Sequence, residues 1–315
     1  MYSYNNIIEK EEPKEKELID QCLDSFLETP QTQQYTVGTN VDCIVVEHFL
    51  TDEECDALLN ACETVGYSFW KQKKHDDPST MICDSSTMAV RDVDTIEANF
   101  PRLSKKLFER IQSSVNLVPK QFHKDMEHAD ELFEKDLEGE WVPDSMSENL
   151  LFGRYGPGGH FMPHIDGSTI VDLNKRSFYT VLVYLNDCPA GGETFLFSGE
   201  QQKVMVFDDS ANKYRGSNTS RIGAVHPKKG SAAFFYYDLL HEGSPVLEGK
   251  KYICRADLMY RREPPIFTSA KDLEAFQLYQ DARLAESSGN AEEACRMFRR
   301  VSKLSPGVAE LFYLA

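Results

Sequence analysis

The stretch from Phe178 to Leu185 reads F-Y-T-V-L-V-Y-L, an unbroken run of aromatic, β-branched and leucine side chains. Such a run fits a buried strand, and Asn186-Asp187 supplies the turn that ends it. Leu150 to Tyr155, Thr194 to Phe197, Val204 to Phe207, Ala232 to Tyr236 and Tyr252 to Tyr260 have the same character. Gly, Pro, Asn and Asp separate them, as at Ala190-Gly191-Gly192. Many short strands punctuated by turn residues predict two sheets closed on each other as a jelly roll, the double-stranded β-helix.

The chain ahead of this region is of another kind. Cys43 to Phe49 predicts a strand. Thr51-Asp52-Glu53-Glu54 after it is a capping box. Cys55, Leu58, Leu59 and Cys62 then follow the spacing of a buried helix face, and Gly66 ends that helix. A second helix is expected over about 100–115, with Leu103, Leu107 and Ile111 on one stripe. These two helices support the barrel, so the class is α+β. Residues 1–38 read as a polar, solvated arm, with a short helix near Leu18 to Phe26 as the alternative. Asp125 to Glu148 is dense in carboxylates and reads as an exposed helix and loop. Ser198 to Ser220 reads as a hairpin with an extended loop near the barrel mouth.

After Arg262 the strand pattern stops, and Pro264-Pro265 marks a boundary. Leu273 to Ser288 and Ala291 to Leu304 predict two helices joined at Gly289-Asn290, with Pro306 closing the second. Ala294, Phe298, Val301 and Pro306 match part of a tetratricopeptide repeat, but one repeat cannot bury its own face. The expected organisation is an arm over 1–38, a barrel domain over 39–262 and a helical hairpin over 266–315 packed on the barrel.

Composition narrows the partners. A formal net charge of −17 over 315 residues argues against a general phosphate-binding surface, so nucleic acid is not expected. The eight cysteines include no CxxC pair and read as reduced thiols of a cytoplasmic or nuclear protein. No apolar run follows a basic start, and nowhere do about 18 apolar residues run together, so neither a signal peptide nor a membrane span is expected.

Chemistry concentrates in two stretches. Arg154 to Asp166 reads R-Y-G-P-G-G-H-F-M-P-H-I-D, and His241 to Lys251 reads H-E-G-S-P-V-L-E-G-K-K. His164 and Asp166 are two apart, so a strand points both to one face. A second imidazole from His241 completes the two-histidine, one-carboxylate set of an open iron site. Any one histidine is ordinarily a surface or satisfied residue; the combination carries the reading. His160 and His226 are spare imidazoles without partners at useful spacing. A 2-oxoacid chelating such a metal needs a fixed cation for its far carboxylate. Lys251 stands on the strand after the Gly249 turn, Arg255 is the alternative, and Lys250 alternates to the other face.

These stretches resemble the Fe(II)/2-oxoglutarate dioxygenases, and among them the prolyl 4-hydroxylase-like catalytic domain. Arg154, Tyr155, Gly158, Phe161, His164 and Asp166 match the family's first block. Leu182, Tyr184, Leu185, Asn186, Gly191, Gly192, Glu193, Thr194 and Phe197 match the second. Pro227, Lys228, Lys229, Gly230, Ala232 and Phe235 match the third, and His241, Gly243, Pro245, Val246, Gly249 and Lys251 the fourth. The resemblance covers about 42–262. It implies that His164, Asp166 and His241 are the catalytic iron ligands. It also implies that Lys251 binds the far carboxylate of 2-oxoglutarate with help from the hydroxyls of Tyr155 and Thr194. Fe(II), 2-oxoglutarate and O₂ are then required, with ascorbate as reductant. The implied reaction is hydroxylation of an unactivated C–H, on a prolyl residue of a protein or peptide. The chain departs from the collagen-type enzymes in lacking their secretory signal, in the long insertion between Phe197 and His226, and in the second cation at Arg255. Two alternatives stand beside this. One is an oxygenase acting on another side chain or a small molecule. The other is a barrel without turnover that contacts a protein through its C-terminal helices.

Overall fold

The computed structural model describes residues 13–26, 30–39, 41–69, 72–73, 81–82, 89–126 and 134–314. His75, His128 and Cys83 lie outside them, as do 1–12 and 27–29 of the arm.

Two antiparallel sheets face each other. The larger runs, edge to edge, through Gln33–Thr36, Cys43–Glu47, Ala232–Tyr236, Lys175–Tyr184, Lys251–Glu263, Asn149–Tyr155, Asp94–Asn99 and Ser68–Phe69. The smaller runs through Arg221–Val225, Thr194–Phe197, His241–Gly243, His160–His164 and Arg91–Asp92. This is the expected jelly roll, supported on its outer face by helices.

The period of two decides what goes where. Along Lys251–Glu263, Tyr252, Cys254, Ala256 and Leu258 join the core beneath the helices. Ile253 joins the core between the sheets, and Lys251 and Arg255 open onto a cavity there. The helices Asp52–Val65 and Pro101–Ser114 cover the outer face with Leu58, Cys62, Leu103, Leu107 and Ile111. The capping box forms as expected: Glu54 N–H donates to Thr51 Oγ1 at 3.2 Å and Thr51 N–H to Glu54 Oε2 at 2.8 Å. The same buried Glu54 takes Arg110 at 2.7 Å, which ties the two helices together.

Four expectations need correction. The described part of the arm is not wholly solvated. Ile19 and Leu23 are buried in the main core, and Asp20 Oδ1 accepts from the N–H of Arg102 and Leu103 at 2.9 and 3.1 Å. Those are free donors of a helix N-terminus, which a carboxylate satisfies. Where described, the carboxylate-rich stretch holds only a short 3-10 turn of helix, Lys135–Leu137. Gly139–Met146 is a strand paired with Lys251–Glu263, because Trp141 and Met146 turn inward between outward-facing polar residues; 127–133 lie outside the described residues. In the insertion, Gln201–Val204 is a helical turn, so the strand begins at Met205 and pairs Met205–Asp208 with Lys213–Gly216. Last, the second helix ends before Pro306 as expected, but Pro306 also opens a third. Ser305 Oγ accepts from Val308 N–H at 3.2 Å and proline takes the first helical position of Pro306–Leu311.

The helices Ala270–Ser287 and Ala291–Leu304 pack against each other and against Pro306–Leu311. Ala275, Phe276, Val301 and Val308 form a separate small core with Leu173 and Ile170 of the barrel.

Candidate metal centre

His164 and His241 are register partners on neighbouring strands of the smaller sheet. Each ring is fixed in the same way. His164 Nδ1 lies 2.7 Å from the carbonyl oxygen of Met162, and His241 Nδ1 lies 2.8 Å from that of Leu239. A carbonyl only accepts, so each Nδ1 carries the proton and donates it. Each Nε2 lone pair is then left facing inward. His164 Nε2 is 3.7 Å from Asp166 Oδ1, and His241 Nε2 is 3.6 Å from Asp166 Oδ2. Among the described residues, these three are the one set of potential ligands whose donor atoms all lie within 4.8 Å of one another. The separations exceed hydrogen bonds and suit a cation placed between the donors.

The charge states fit such a cation. Burial, reinforced by the neighbouring His164, pushes the His241 imidazole down to about 4, so it is neutral near pH 7. Burial acts to raise the Asp166 carboxyl, but opposing charge, Arg255 foremost, outweighs it and holds the group well below the usual carboxylate range. Phe161 stacks on His164 at 3.6 Å between ring centroids and 21°, and the Arg91 guanidinium lies 4.5 Å from the centroid of the Phe161 ring.

The triad forms part of the wall of a cavity between the sheets. Tyr155, Thr180, Thr194, Lys251 and Arg255 line the same space, and Leu182, Phe235 and Ile253 make it largely apolar. Lys251 is 3% exposed, and among the described residues its ammonium has no hydrogen-bond or ion-pair partner. Its charge rests near the rings of Tyr155 and Tyr184, at 5.4 and 5.6 Å. Burial pushes its pKa down to about 8. The stem of Lys251 passes Gly192, where an added Cβ would sit 3.3 Å from Lys251 Cδ and 3.0 Å from Cys188 Sγ at a φ of +74°. Glycine is therefore needed there for close approach. Thr194 Oγ1 shares a hydrogen bond of 2.8 Å with Tyr184 Oη.

All seven residues singled out in the sequence thus border one cavity, but Arg255 differs from Lys251. Its guanidinium lies 3.0 Å from Asp257 Oδ1 and 3.6 Å from Asp166 Oδ1. The spare histidines stay apart. His160 is buried between the carbonyls of Gly158 and Ala89, and His226 is exposed beside Glu193. Three residues of the site were not singled out. Thr180 Oγ1 donates to Asp166 Oδ2 at 2.7 Å. Asp257 and Arg91 complete the surroundings. The alternation that selects Arg255 also selects Asp257, and parity with Leu182 and Tyr184 selects Thr180. Arg91 sits in no motif.

Comparison with known proteins covers the same part of the chain. Residues 150–256 match the family model of the 2OG-Fe(II) oxygenase superfamily. The chain is 26% identical over 216 residues to the probable prolyl 4-hydroxylase 6 of Arabidopsis thaliana, covering 65% of this chain and 64% of that protein. It is 27% identical over 231 residues to the prolyl 4-hydroxylase 2 of the same plant, covering 69% and 66%. The chain therefore spans slightly less than two thirds of the length of either relative. A viral collagen prolyl hydroxylase from Paramecium Bursaria Chlorella virus-1 aligns over 70% of this chain and 97% of its own, at 19% identity and a TM-score of 0.39. Over residues 150–256 the chain is thus similar to the 2OG-Fe(II) oxygenase superfamily, and over about two thirds of its length to plant prolyl 4-hydroxylases.

Proposed function

We propose that this chain is an Fe(II)- and 2-oxoglutarate-dependent dioxygenase that hydroxylates an unactivated C–H, on a prolyl residue of a protein or peptide. The observation that carries it is one cavity that joins two Nε2 lone pairs and a carboxylate to a buried ammonium with no ion-pair partner among the described residues. A buried, unpaired charge is costly, and an anion entering the cavity relieves that cost. The names of the relatives support the prolyl choice.

His164, Asp166 and His241 would hold Fe(II) and leave positions open. The iron, once bound with 2-oxoglutarate, supplies the oxidative decarboxylation and O₂ activation that deliver a hydroxyl group. The chain's own residues do the rest. Met162 and Leu239 hold the Nδ1 protons and so aim both Nε2 atoms inward. Lys251 receives the far carboxylate, with the hydroxyls of Tyr155 and Thr194 as donors. Leu182, Phe235 and Ile253 keep water away from the reacting centre, which strengthens every charge interaction there. Ascorbate would keep the metal reduced between turnovers.

Mass spectrometry of a proline-containing peptide panel, incubated with protein, Fe(II), ascorbate, 2-oxoglutarate and O₂, tests the substrate class. Gain of one oxygen at proline supports the reading. Gain at another residue moves the chain to a different side chain. Ligand binding without modification of any peptide points away from a peptide substrate.

A further inference from the structure

Arg255 sits where a second anchor for the co-substrate would be sought, yet its contacts give it another task. Lys251, Ile253, Arg255 and Asp257 alternate along one face of the Lys251–Glu263 strand. Four residues of strand separate Lys251 from Arg255 by about 13 Å along the backbone. The two cations therefore serve opposite ends of the cavity. At the Arg255 end the neighbours are carboxylates. Asp257 is 5% exposed and fully engaged: Oδ1 takes the Arg255 guanidinium at 3.0 Å and Oδ2 accepts from Thr169 Oγ1 at 2.6 Å. The same guanidinium nitrogen stands 3.6 Å from Asp166 Oδ1, while Thr180 Oγ1 donates to Asp166 Oδ2 at 2.7 Å.

We propose that Arg255, held by Asp257 and Thr169, is a positioning residue that fixes the Asp166 carboxylate for the metal, and is not an anchor for 2-oxoglutarate. The inference rests on the metal reading above. Each oxygen of Asp166 faces one donor from the larger sheet, so the carboxylate cannot rotate freely about its own axis. A lone arginine would compete with a cation for that carboxylate. Here Asp257 takes the closer contact and offsets the guanidinium charge, so Asp166 keeps negative charge for a metal. One terminal nitrogen of the guanidinium meets both carboxylates, at a reach and on a planar group that a lysine ammonium does not reproduce. Outer partners of this kind orient metal ligands, and their loss costs about 10- to 100-fold in affinity. The Arg255 Nε is buried and without a hydrogen-bond partner among the described residues, so anion capture is the competing role that a test has to separate.

The test uses the full chain and separates the two ligands. Co(II) binding without co-substrate is followed by calorimetry and by the visible absorption of the bound ion. Binding of 2-oxoglutarate is then measured at saturating Co(II). Arg255→Gln and Asp257→Asn are expected to weaken Co(II) by about 10- to 100-fold and to alter its spectrum. Both should leave 2-oxoglutarate affinity close to wild type, and Arg255→Lys should not restore the metal affinity. Lys251→Met should show the reverse pattern. Unchanged Co(II) binding and spectrum in Arg255→Gln, together with lost 2-oxoglutarate binding, overturns the assignment and makes Arg255 an anchor. Unchanged Co(II) binding in Asp257→Asn overturns the support by Asp257, and it remains readable even if the arginine variants fail to fold. Wild type that binds no Co(II) removes the metal reading itself, which is a distinct failure.

Discussion

His164 and His241 face each other across a pair of antiparallel strands with ring centroids 4.2 Å apart, and each donates its Nδ1 proton to the carbonyl two residues before it. The repeated local contact sets the tautomer of both rings and aims both Nε2 atoms inward. The geometry of the pair therefore belongs to the backbone of two strands, and the carboxylate between them is oriented separately, from the opposite sheet.

The Phe161 ring stacked on His164 is expected to hold the imidazole plane. Phe161→Ala should weaken metal binding by about three- to tenfold, since aromatic stacking of this sort contributes about 0.5–1.5 kcal/mol. Co(II) titration checks it; wild-type affinity in the variant would show the stack to be incidental.

Lys251 sets a pH dependence. Its pKa is pushed down to about 8, so it is charged below that pH and neutral above it. A carboxylate needs the charged form. Affinity of the metal-loaded protein for 2-oxoglutarate should fall as pH rises through about 8, and binding above that pH should take up a proton. Calorimetry in buffers of different ionisation enthalpy reads both effects. A flat profile from pH 7 to 9 would place the dianion elsewhere.

The hairpin Met205–Asp208/Lys213–Gly216 is tied to the metal strand through Glu242, the residue after His241. This carboxylate is 1% exposed, accepts from Gly216 N–H at 2.6 Å and pairs with Arg215 at 3.2 Å. Glu242→Gln should release the hairpin, raising amide exchange over 205–216 by about 10- to 150-fold, because hydrogen bonds to charged groups contribute about 1.5–3 kcal/mol. Exchange confined to other strands would argue against this tether.

The C-terminal helices rest on Leu173, which is 4% exposed in their shared core. Leu173→Ala should cost about 2–5 kcal/mol by creating a cavity and lower the thermal midpoint. An unchanged midpoint would mean that the helices contribute nothing to the stability of the barrel.

Much of this was legible in the sequence. The β-rich runs and their turns expose the jelly roll, and the spacing of His164 and Asp166 places two donors on one face of a strand. Alternation along Lys251–Glu263 separates Lys251 and Arg255 from Lys250. What stayed hidden depends on contacts between distant segments. Arg91 reaches the cavity only because Arg91–Asp92 pairs with His160–His164, which no local pattern encodes. Gly139–Met146 carries Trp141 among carboxylates, and the average polarity of the stretch masks its inward face. Asp257 lies on the face already identified, but its meaning appears only when Thr169 and Arg255 are seen on its two oxygens.

The most direct measurement is succinate formed from 2-oxoglutarate by the purified protein with Fe(II), ascorbate and O₂, beside Asp166→Ala. Wild type is expected to produce succinate, with the rate rising when a substrate peptide is present, while Asp166→Ala, still folded by circular dichroism, produces none. Succinate formed equally by both proteins, or wild type that binds neither iron nor 2-oxoglutarate, would contradict the role given to His164, Asp166 and His241.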